Sequence, residues 1–393
     1  MRSEYDLLIL GGGCAGLSLG MRLAKQAGRC PQTLILERRA AYVHDRTWCF
    51  WDDGTSAMRH LAKHRWNAMT IKAASQSTIV SCEKSPYAMI AAEDFYAEAL
   101  GTIATSAGIS LANGLYPLRE PIRHGKHWQV ETAAGQVRAK MIVDTRPGPA
   151  PRPGGATLWQ SFYGHEIEFT VPVFDPSRLE LMDFSPTDPK RIQFTYVLPV
   201  SDRRALIEVT VLSPEPVGHQ FLSTELAIAI SRYAQGNRHS ILRSEHGILP
   251  MGQTHNPSQE THPTFVKAGL AGGAARPSTG YAFQRIQKWA DLCAARIASG
   301  KLPISHPADP LLLRALDHLF LSVLRSRPEK APYLFHSLFE KTSTPSLLRF
   351  LSDSATPIDF ARVAWALPFL LFLQEIPRAL ITQNGQPRES LVT

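Results

Sequence analysis

The sequence predicts an α/β protein made of a discontinuous nucleotide-binding domain, an inserted and mostly antiparallel sheet, and a helical C-terminal region. Three observations support this prediction. The chain opens with a strand, a glycine-rich turn and a helix. A second glycine-rich loop begins at Gly269. Beyond Gly300 the apolar spacing is helical, and residues 311–324 form the clearest helical segment.

The first element is the stretch at residues 6–19, DLLILGGGCAGLSL, which has the GxGxxG spacing of a Rossmann-like dinucleotide turn. In such a turn the first glycine makes the bend, the second lets the backbone approach a diphosphate, and the third lets the helix pack close to the strand. The free N–H groups of the first helical turn then face the anion. The predicted cofactor-binding residues here are Gly11, Gly13, Ala15 and Gly16.

The next strand, residues 33–36, ends in Glu37, which lies at the spacing expected for a carboxylate that binds the cofactor ribose. Much later, residues 269–281, GLAGGAARPSTGY, follow a predicted strand and precede a helix predicted from about Ala282. This second loop offers N–H donors to a diphosphate, a ribityl chain or a flavin ring. The plain alternative is a turn in which Ser278 or Thr279 caps the helix.

Two such loops favour FAD over NAD, because a plain nicotinamide dehydrogenase rarely needs a second, distant glycine loop. The predicted FAD contacts in the second loop are Gly272, Gly273, Pro277, Ser278, Thr279 and Gly280.

A proline- and glycine-rich linker at residues 147–155 predicts a domain boundary near residue 150. After it, strands predicted at 192–200 and 205–212 are joined by a short polar turn and form a hairpin. The predicted units are the nucleotide-binding domain, 1–150 completed in space by 240–300; the antiparallel substrate sheet, 151–240; and a helical, membrane-facing region, 301–393.

Composition and charge limit the kinds of partner that we expect this chain to bind. The chain has 393 residues, 44% hydrophobic and 19% charged, which is typical of a globular protein. The net charge of +8 comes from scattered Lys and Arg, so we expect no nucleic-acid-binding arm, and a surface that suits an anionic membrane. Five cysteines without CxxC pairs or histidine-rich spacing predict reduced thiols and no metal site.

The expected location is cytoplasmic and peripheral to a membrane. The N-terminal residues MRSEYD include acids where a signal peptide has an apolar segment. The longest late apolar run, VAWALPFLLFL at residues 363–373, is too short to cross a bilayer but long enough to lie on one. A buried helix interrupted at Pro368 is the equal alternative.

Several strings together resemble the bacterial lycopene cyclases, flavoproteins of the geranylgeranyl-reductase and p-hydroxybenzoate-hydroxylase-like fold. In chain order they are GGGCAGLSL, RTWCFWDD, LWQSFYGHEIEF, LMDFS, FTYVLPVSDRRALIEVT and PSTGY, and the resemblance extends to about Leu373. It implies FAD in its reduced form, with NAD(P)H as the reductant through an unidentified donor, and work at a membrane. It also implies the isomerisation of lycopene through γ-carotene to β-carotene, an intramolecular lyase reaction on acyclic and monocyclic carotenoids.

The string ALIEVT bears on the chemistry. Glu208 stands at the family's first acidic position, whereas the second, usually acidic, is Val209. Alternation places Glu208 on the face opposite the apolar residues Ala205, Ile207 and Val209. If Glu208 lines an apolar cavity, desolvation raises its pKa and keeps it protonated, as an acid that protonates carbon requires. An exposed carboxylate is the plain alternative.

Three further acids match family strings. Asp183 in LMDFS and Glu166 in GHEIEF are the other candidate catalytic acids, with backbone capping as their plain alternative. The resemblance places Asp144 near the flavin, where it would form a hydrogen bond or a salt bridge with Arg146.

Two other functions remain open at this stage. The same fold is compatible with a flavin monooxygenase or a prenyl reductase, each of which consumes NAD(P)H in proportion to product. If Val209 marks a lost activity, the chain would instead be a non-catalytic flavin-binding protein.

Overall fold

The structure, a computed structural model, describes residues 2–26, 30–73, 76–148, 154–185, 188–252 and 262–384. Most of the predicted linker, and the end of the predicted C-terminal unit, therefore lie outside the described residues.

The strands in chain order are β1 (Glu4–Leu10), β2 (Thr33–Glu37), β3 (Thr47–Trp51), β4 (His64–Trp66), β5 (Ala68–Ala73), β6 (Gln76–Ser81), β7 (Tyr87–Ala91), β8 (Ile109–Asn113), β9 (Ile122–His124), β10 (His127–Thr132), β11 (Gly135–Asp144), β12 (Leu158–Phe169), β13 (Arg178–Asp183), β14 (Ile192–Pro199), β15 (Arg204–Ser213), β16 (His239–Met251) and β17 (Phe265–Lys267). The helices are α1 (Cys14–Ala24), α2 (Ala92–Ala104), α3 (His219–Ala234), α4 (Phe283–Ala298), α5 (Leu311–Ser326), α6 (Ala331–Lys341), α7 (Thr344–Leu351), α8 (Pro357–Ala366) and α9 (Phe369–Asn384).

The first sheet has the order β8-β2-β1-β11-β10-β9, and β17 also pairs with β11. Strands β8, β2, β1, β11 and β17 are parallel, so their carboxyl ends meet at one edge. Residues Leu7 to Leu10 of β1 are fully buried because apolar clusters cover both sheet faces. The glycine turn, Glu37, Asp144 and the second glycine loop all follow strands at this edge.

The second sheet has the order β16-β12-β15-β14-β13-β5-β6 and is antiparallel except where β13 meets β5. The predicted hairpin is formed by β14 and β15. Residues 68–81, which the sequence analysis assigned to the first unit, supply β5 and β6 at the edge of this sheet. Strand β16 also belongs to this sheet, whereas β17 and α4, from the later part of residues 240–300, pack with the nucleotide-binding unit.

The C-terminal region is helical, and the predicted α/β fold is confirmed. Helix α6 packs on β5 and β6, whereas α5 packs on α9. Pro368 separates α8 from α9. No single helix among the described residues is long and apolar enough to cross a membrane. Helix α8 and residues 369–377 reach the necessary length and composition as a pair, but the two segments are bent by 99°.

We expect Gly16→Ala to destabilise the fold, because a Cβ at Gly16 would lie 2.0 Å from the carbonyl oxygen of Gly11. Relieving that overlap should lower the free energy of unfolding by about 2 kcal/mol. The matched control is Gly101→Ala in α2, where a Cβ would meet no atom within 4 Å. It should be neutral or stabilising by up to about 1 kcal/mol. Equal thermal unfolding midpoints for the two variants would contradict this close packing.

Candidate active site

A cavity of about 2000 Å³ runs from the first glycine turn, along the second sheet, to the bend between α8 and α9. It is larger than the roughly 300–1,000 Å³ typical of a site for one small ligand, so it has room for a dinucleotide and a long substrate together. At one end it is lined by Gly11, Gly13, Ala15, Glu37, Asp144, Ser278, Thr279 and Gly280, and at the other by Phe360, Val363, Leu367, Phe369, Phe372 and Leu373.

The first glycine turn has the shape that the sequence predicts. Gly11 has a φ of +98°, which favours glycine, and a Cβ there would lie 3.0 Å from Thr145 Oγ1. A Cβ at Gly13 would meet nothing within 4 Å, and Gly13 begins α1 without a side-chain cap or an acid in the first turn. The helix N-terminus is therefore open to an anion from the cavity.

Two carboxylates stand at the ends of the two strands that flank β1, beside this turn. Glu37 accepts hydrogen bonds from the Gly12 N–H at 2.6 Å and from Arg39 at 2.8 Å. Burial alone would raise the pKa of Glu37, but Arg39 and the Gly12 N–H outweigh it and lower the pKa. Asp144 accepts from Arg146 at 2.9 and 2.8 Å, which is the salt bridge considered in the sequence analysis.

The second glycine loop contacts the first. A Cβ at Gly269 would lie 3.3 Å from the Cβ of Ala15. Gly272 fits against the carbonyl oxygen of Lys267, where a Cβ would be only 2.6 Å away. Gly273 and Gly280 have φ values of +84° and +73°. Ser278, Thr279 and Gly280 line the cavity, whereas Gly272, Gly273 and Pro277 shape the loop behind it.

An ion pair that the sequence analysis missed anchors this loop to α5. Arg276 is buried, and it donates to Asp317 at 3.0 and 3.2 Å. Ser278 donates to the same carboxylate at 2.7 Å, so Ser278 does not cap the following helix, whose N-cap is Ala282. The two charged residues are far apart in the sequence, and no local pattern relates them.

The residues at this end fit a dinucleotide. An open helix N-terminus, a bare backbone at Gly13 and a carboxylate at the end of β2 match the groups that bind a diphosphate and a ribose. Further along the wall, the buried indole N–H groups of Trp51 and Trp159 have no hydrogen-bond partner among the described residues. Both are donors available to a bound group.

Strand register brings four residues side by side on the cavity face of the second sheet. Glu245 of β16 pairs with Gly164 of β12, Gly164 with Glu208 of β15, and Glu208 with Tyr196 of β14. Directly paired residues share a face. The opposite face of β15 is apolar and packs against α3, and Val209 lies there. A side chain at position 209 is therefore directed away from the cavity.

Glu208 is a buried carboxyl group without an ion-pair partner among the described residues. It is 8% exposed, and it accepts a hydrogen bond from the Thr210 hydroxyl at 2.8 Å. Burial, and then the nearby Glu245 carboxylate, raise the pKa of Glu208 to about 8. The protonated form of Glu208 is therefore favoured at neutral pH.

Glu245 is the second carboxyl group of the site, and the sequence analysis did not single it out. It accepts hydrogen bonds from Arg243 at 2.5 Å and from Thr47 at 2.9 Å. Burial raises the pKa of Glu245 above its usual value, although the contacts with Arg243 and Thr47 limit that rise. Because Arg243 donates to Glu245 whereas Glu208 accepts from a neutral hydroxyl, a proton shared by the two carboxyl groups is favoured on Glu208 and the charge on Glu245.

The other two candidate acids lie elsewhere. Glu166 is ion-paired with Arg204 at 2.5 Å and Arg243 at 2.6 Å. Burial alone would raise the pKa of Glu166, but the two guanidinium groups hold it below its usual value. Asp183 pairs with Thr195 and so lies on the α3 side of the sheet, where it accepts from the Ser185 N–H at 2.9 Å. Neither side chain lines the cavity.

Aromatic side chains connect the acid to the second glycine loop. The Tyr196 hydroxyl donates to Tyr87 at 3.0 Å, and the hydroxyls of Tyr87 and Tyr281 lie 3.3 Å apart. Trp51 packs edge-on against Tyr87 and Tyr281, with ring centroids 5.1 and 5.0 Å away. Tyr281 belongs to the PSTGY segment, so this wall extends from the Glu208 row to the predicted cofactor.

A model of the family described as lycopene cyclase protein matches residues 6–375. The chain belongs to the lycopene cyclase family. Lycopene beta-cyclases from a Paracoccus species and from Pantoea ananas are similar to it, 26% identical over 302 residues and 25% over 319. These matches cover 74% of this chain and 73% of the Paracoccus protein, and 75% of this chain and 75% of the Pantoea protein.

Solved structures show that this cyclase-family chain has a flavoprotein fold. A flavoprotein/dehydrogenase from Cytophaga hutchinsonii matches with a TM-score of 0.62 and 13% identity, over 98% of this chain and 100% of that one. A geranylgeranyl bacteriochlorophyll reductase-like protein from Thermoplasma acidophilum matches with a TM-score of 0.59 and 14% identity, over 97% and 99%. At these identities the likeness concerns the fold alone.

We expect Glu208→Gln to stabilise this lycopene cyclase family member more at higher pH. The pKa of Glu208 is about 8 in the folded state against an ordinary value of 4.5, so between these values the unfolded chain releases a proton that the folded chain retains. The wild-type free energy of unfolding therefore falls as pH rises through this window, and the variant escapes that loss. The variant's advantage should grow by roughly 2–4 kcal/mol from about pH 5 to about pH 8.

Urea or thermal unfolding at several pH values measures this difference. Glu168→Gln, at an exposed carboxylate on β12, is the control and should show no comparable trend. A pH-independent difference for Glu208→Gln would mean that Glu208 is ionised in the folded protein.

Proposed function

We propose that the chain is a lycopene β-cyclase in which Glu208 is the catalytic acid. The supporting observation is a buried, uncharged carboxyl group in the wall of a large cavity, at the position where ALIEVT matches the family's acid. The named relatives are lycopene beta-cyclases, and acyclic and monocyclic carotenoids are the proposed substrates.

In the proposed reaction, Glu208 gives its proton to the terminal double bond of the polyene, which leaves a tertiary carbocation. The neighbouring double bond attacks this cation and closes the ring. The ring then loses one proton, so one proton enters, one leaves and no electrons are exchanged. The apolar and aromatic side chains around Glu208 exclude water that would otherwise capture the cation.

FAD is the proposed cofactor, held by the first glycine turn, Glu37 and the Ser278–Gly280 backbone. When bound in its reduced form, it supplies negative charge that stabilises a cation beside it without being consumed. NAD(P)H, through an unidentified donor, is the proposed reductant. Trp51, Tyr87 and Tyr281 offer aromatic faces that also stabilise a cation.

We further propose that the cavity opens to a membrane at the α8–α9 bend of an otherwise cytoplasmic protein. Trp365 is 92% exposed, Phe369 71% and Leu370 70%. Phe369 and the half-exposed Leu373 also line the cavity, so the exposed apolar surface continues into it. Such a surface inserts shallowly among lipid headgroups, where a hydrocarbon substrate is dissolved.

We expect the wild-type chain to convert lycopene to β-carotene in cells that accumulate lycopene, and Glu208→Gln to lower that conversion at least about 100-fold. Pigment analysis measures both, with flavin content as the check on folding. Glu168→Gln is the matched control and should keep wild-type conversion. Normal cyclisation by a folded, flavin-loaded Glu208→Gln variant would exclude Glu208 as the acid.

The same assay separates the other functions on this fold. A reductase or monooxygenase would consume NAD(P)H in proportion to product, whereas the cyclase needs only catalytic reduction of its flavin. Unchanged lycopene with bound FAD would favour a non-catalytic flavoprotein.

We expect the double variant Phe369→Ser, Leu370→Ser to bind anionic phospholipid vesicles about 10- to 100-fold more weakly, because two large apolar side chains no longer insert. Co-sedimentation measures the binding. The control double variant, Ile241→Ser, Leu242→Ser, removes two exposed apolar residues of β16 and should bind as the wild type does. If both double variants lose vesicle binding to the same extent, the α8–α9 bend has no special role in membrane binding.

A further inference from the structure

We propose that Glu245 is a second catalytic residue, the base that removes the ring proton after cyclisation. This inference rests on the proposed cyclase function. It concerns the deprotonation step that follows ring closure.

The geometry is a pair of carboxyl groups on either side of one glycine. Glu208 and Glu245 lie on the two strands that flank β12, and both pair with Gly164. A Cβ at Gly164 would lie 3.1 Å from the Cβ of Glu208, so any side chain here would fill the space between the two glutamates. Glycine leaves that space open, and both glutamates line the cavity.

The surroundings give the two glutamates opposite roles. Arg243 and Thr47 both donate to Oε2 of Glu245, whereas Glu208 accepts from the neutral Thr210 hydroxyl. A carboxylate that accepts charged and neutral donors is the stable ionised member of such a pair.

The remaining titratable neighbours do not replace Glu245 as a base. The thiol of Cys49 faces both glutamates, and burial raises its pKa to about 12. Burial likewise raises the pKa values of Tyr87, Tyr196 and Tyr281 above their usual range. These groups stay protonated at neutral pH, so Glu245 is the proton acceptor beside Glu208 other than the Glu208 carboxylate itself, which forms in the first step.

The protons balance over one catalytic cycle. Glu208 forms a C–H bond with its proton and becomes a carboxylate. After ring closure, a ring C–H bond breaks, its electron pair forms the ring double bond, and Glu245 takes the proton. The proton then returns from Glu245 to Glu208 across the space above Gly164. The pair ends as it began, with one proton.

The test uses the purified, FAD-loaded and reduced full chain with lycopene in phospholipid vesicles. In Glu245→Gln the amide oxygen can still accept from Arg243 and Thr47, so flavin content and thermal stability should stay near wild type. We expect β-ring formation to fall at least about 100-fold. The cation can lose a proton from any of the carbons bonded to it, so the remaining product should contain ring isomers with a displaced double bond or alcohols from water capture.

The matched control is Glu180→Gln, at a hydrogen-bonded carboxylate on β13 that pairs with Val197 on the α3 side of the sheet. It should leave both the rate and the ring type unchanged. If Glu245→Gln fails to fold or to bind FAD, Glu245→Asp is tested instead, because it keeps the negative charge on a shorter side chain. The rate of ring formation and the proportion of β-rings among the products are then measured in the same assay.

The outcomes are distinct. A Glu245 variant with a rate within about threefold of wild type and only β-rings would overturn this inference and leave the proposed function intact. A wild-type holoenzyme that makes no cyclic product would refute the proposed function and this inference together. Glu208→Gln should differ from Glu245→Gln, since it lacks the initiating proton and should leave lycopene unchanged.

Discussion

The site depends on one constraint, which is the free-energy cost of ionising a carboxyl group that is buried in an apolar wall. Among the described residues Glu208 has a hydroxyl partner but no ion-pair partner, and the second carboxyl group, Glu245, raises its pKa, so its neutral form is favoured. An alkene carbon is a weak base, and a carboxyl group can protonate it only while the carboxyl group is itself protonated. The exclusion of water from this site also protects the carbocation that forms next.

The fold provides this buried site because residues of both sheets line one cavity. Parallel strands bring both glycine loops to one edge, where Gly269 lies against Ala15. The Arg276–Asp317 ion pair fixes the second loop to α5, and Tyr281 of that loop belongs to the aromatic wall beside Glu208. The cofactor end and the acid are thus parts of one continuous surface that reaches the exposed apolar bend at Phe369.

Local sequence patterns predicted the features of the molecule that depend on residues close together in the chain. The glycine spacing predicted the bend at Gly11, and alternation in ALIEVT predicted that Glu208 faces away from the apolar side of its strand. What could not be predicted depends on register between distant strands. Glu245 meets Glu208 only because both pair with Gly164, and β5 and β6 join the second sheet only through β13. The engagement of Glu166 by two arginines has the same origin.

The central claim is that Glu208 is a protonated carboxyl group in the folded protein at neutral pH. Infrared spectroscopy of the purified protein measures this directly, because the C=O stretch of a carboxylic acid is separate from the bands of a carboxylate. We expect a carboxylic-acid band in the wild type that disappears in Glu208→Gln and weakens as the pH is raised through about 8. If no carboxylic-acid band disappears on substitution of Glu208, then Glu208 is ionised and the proposed acid is wrong.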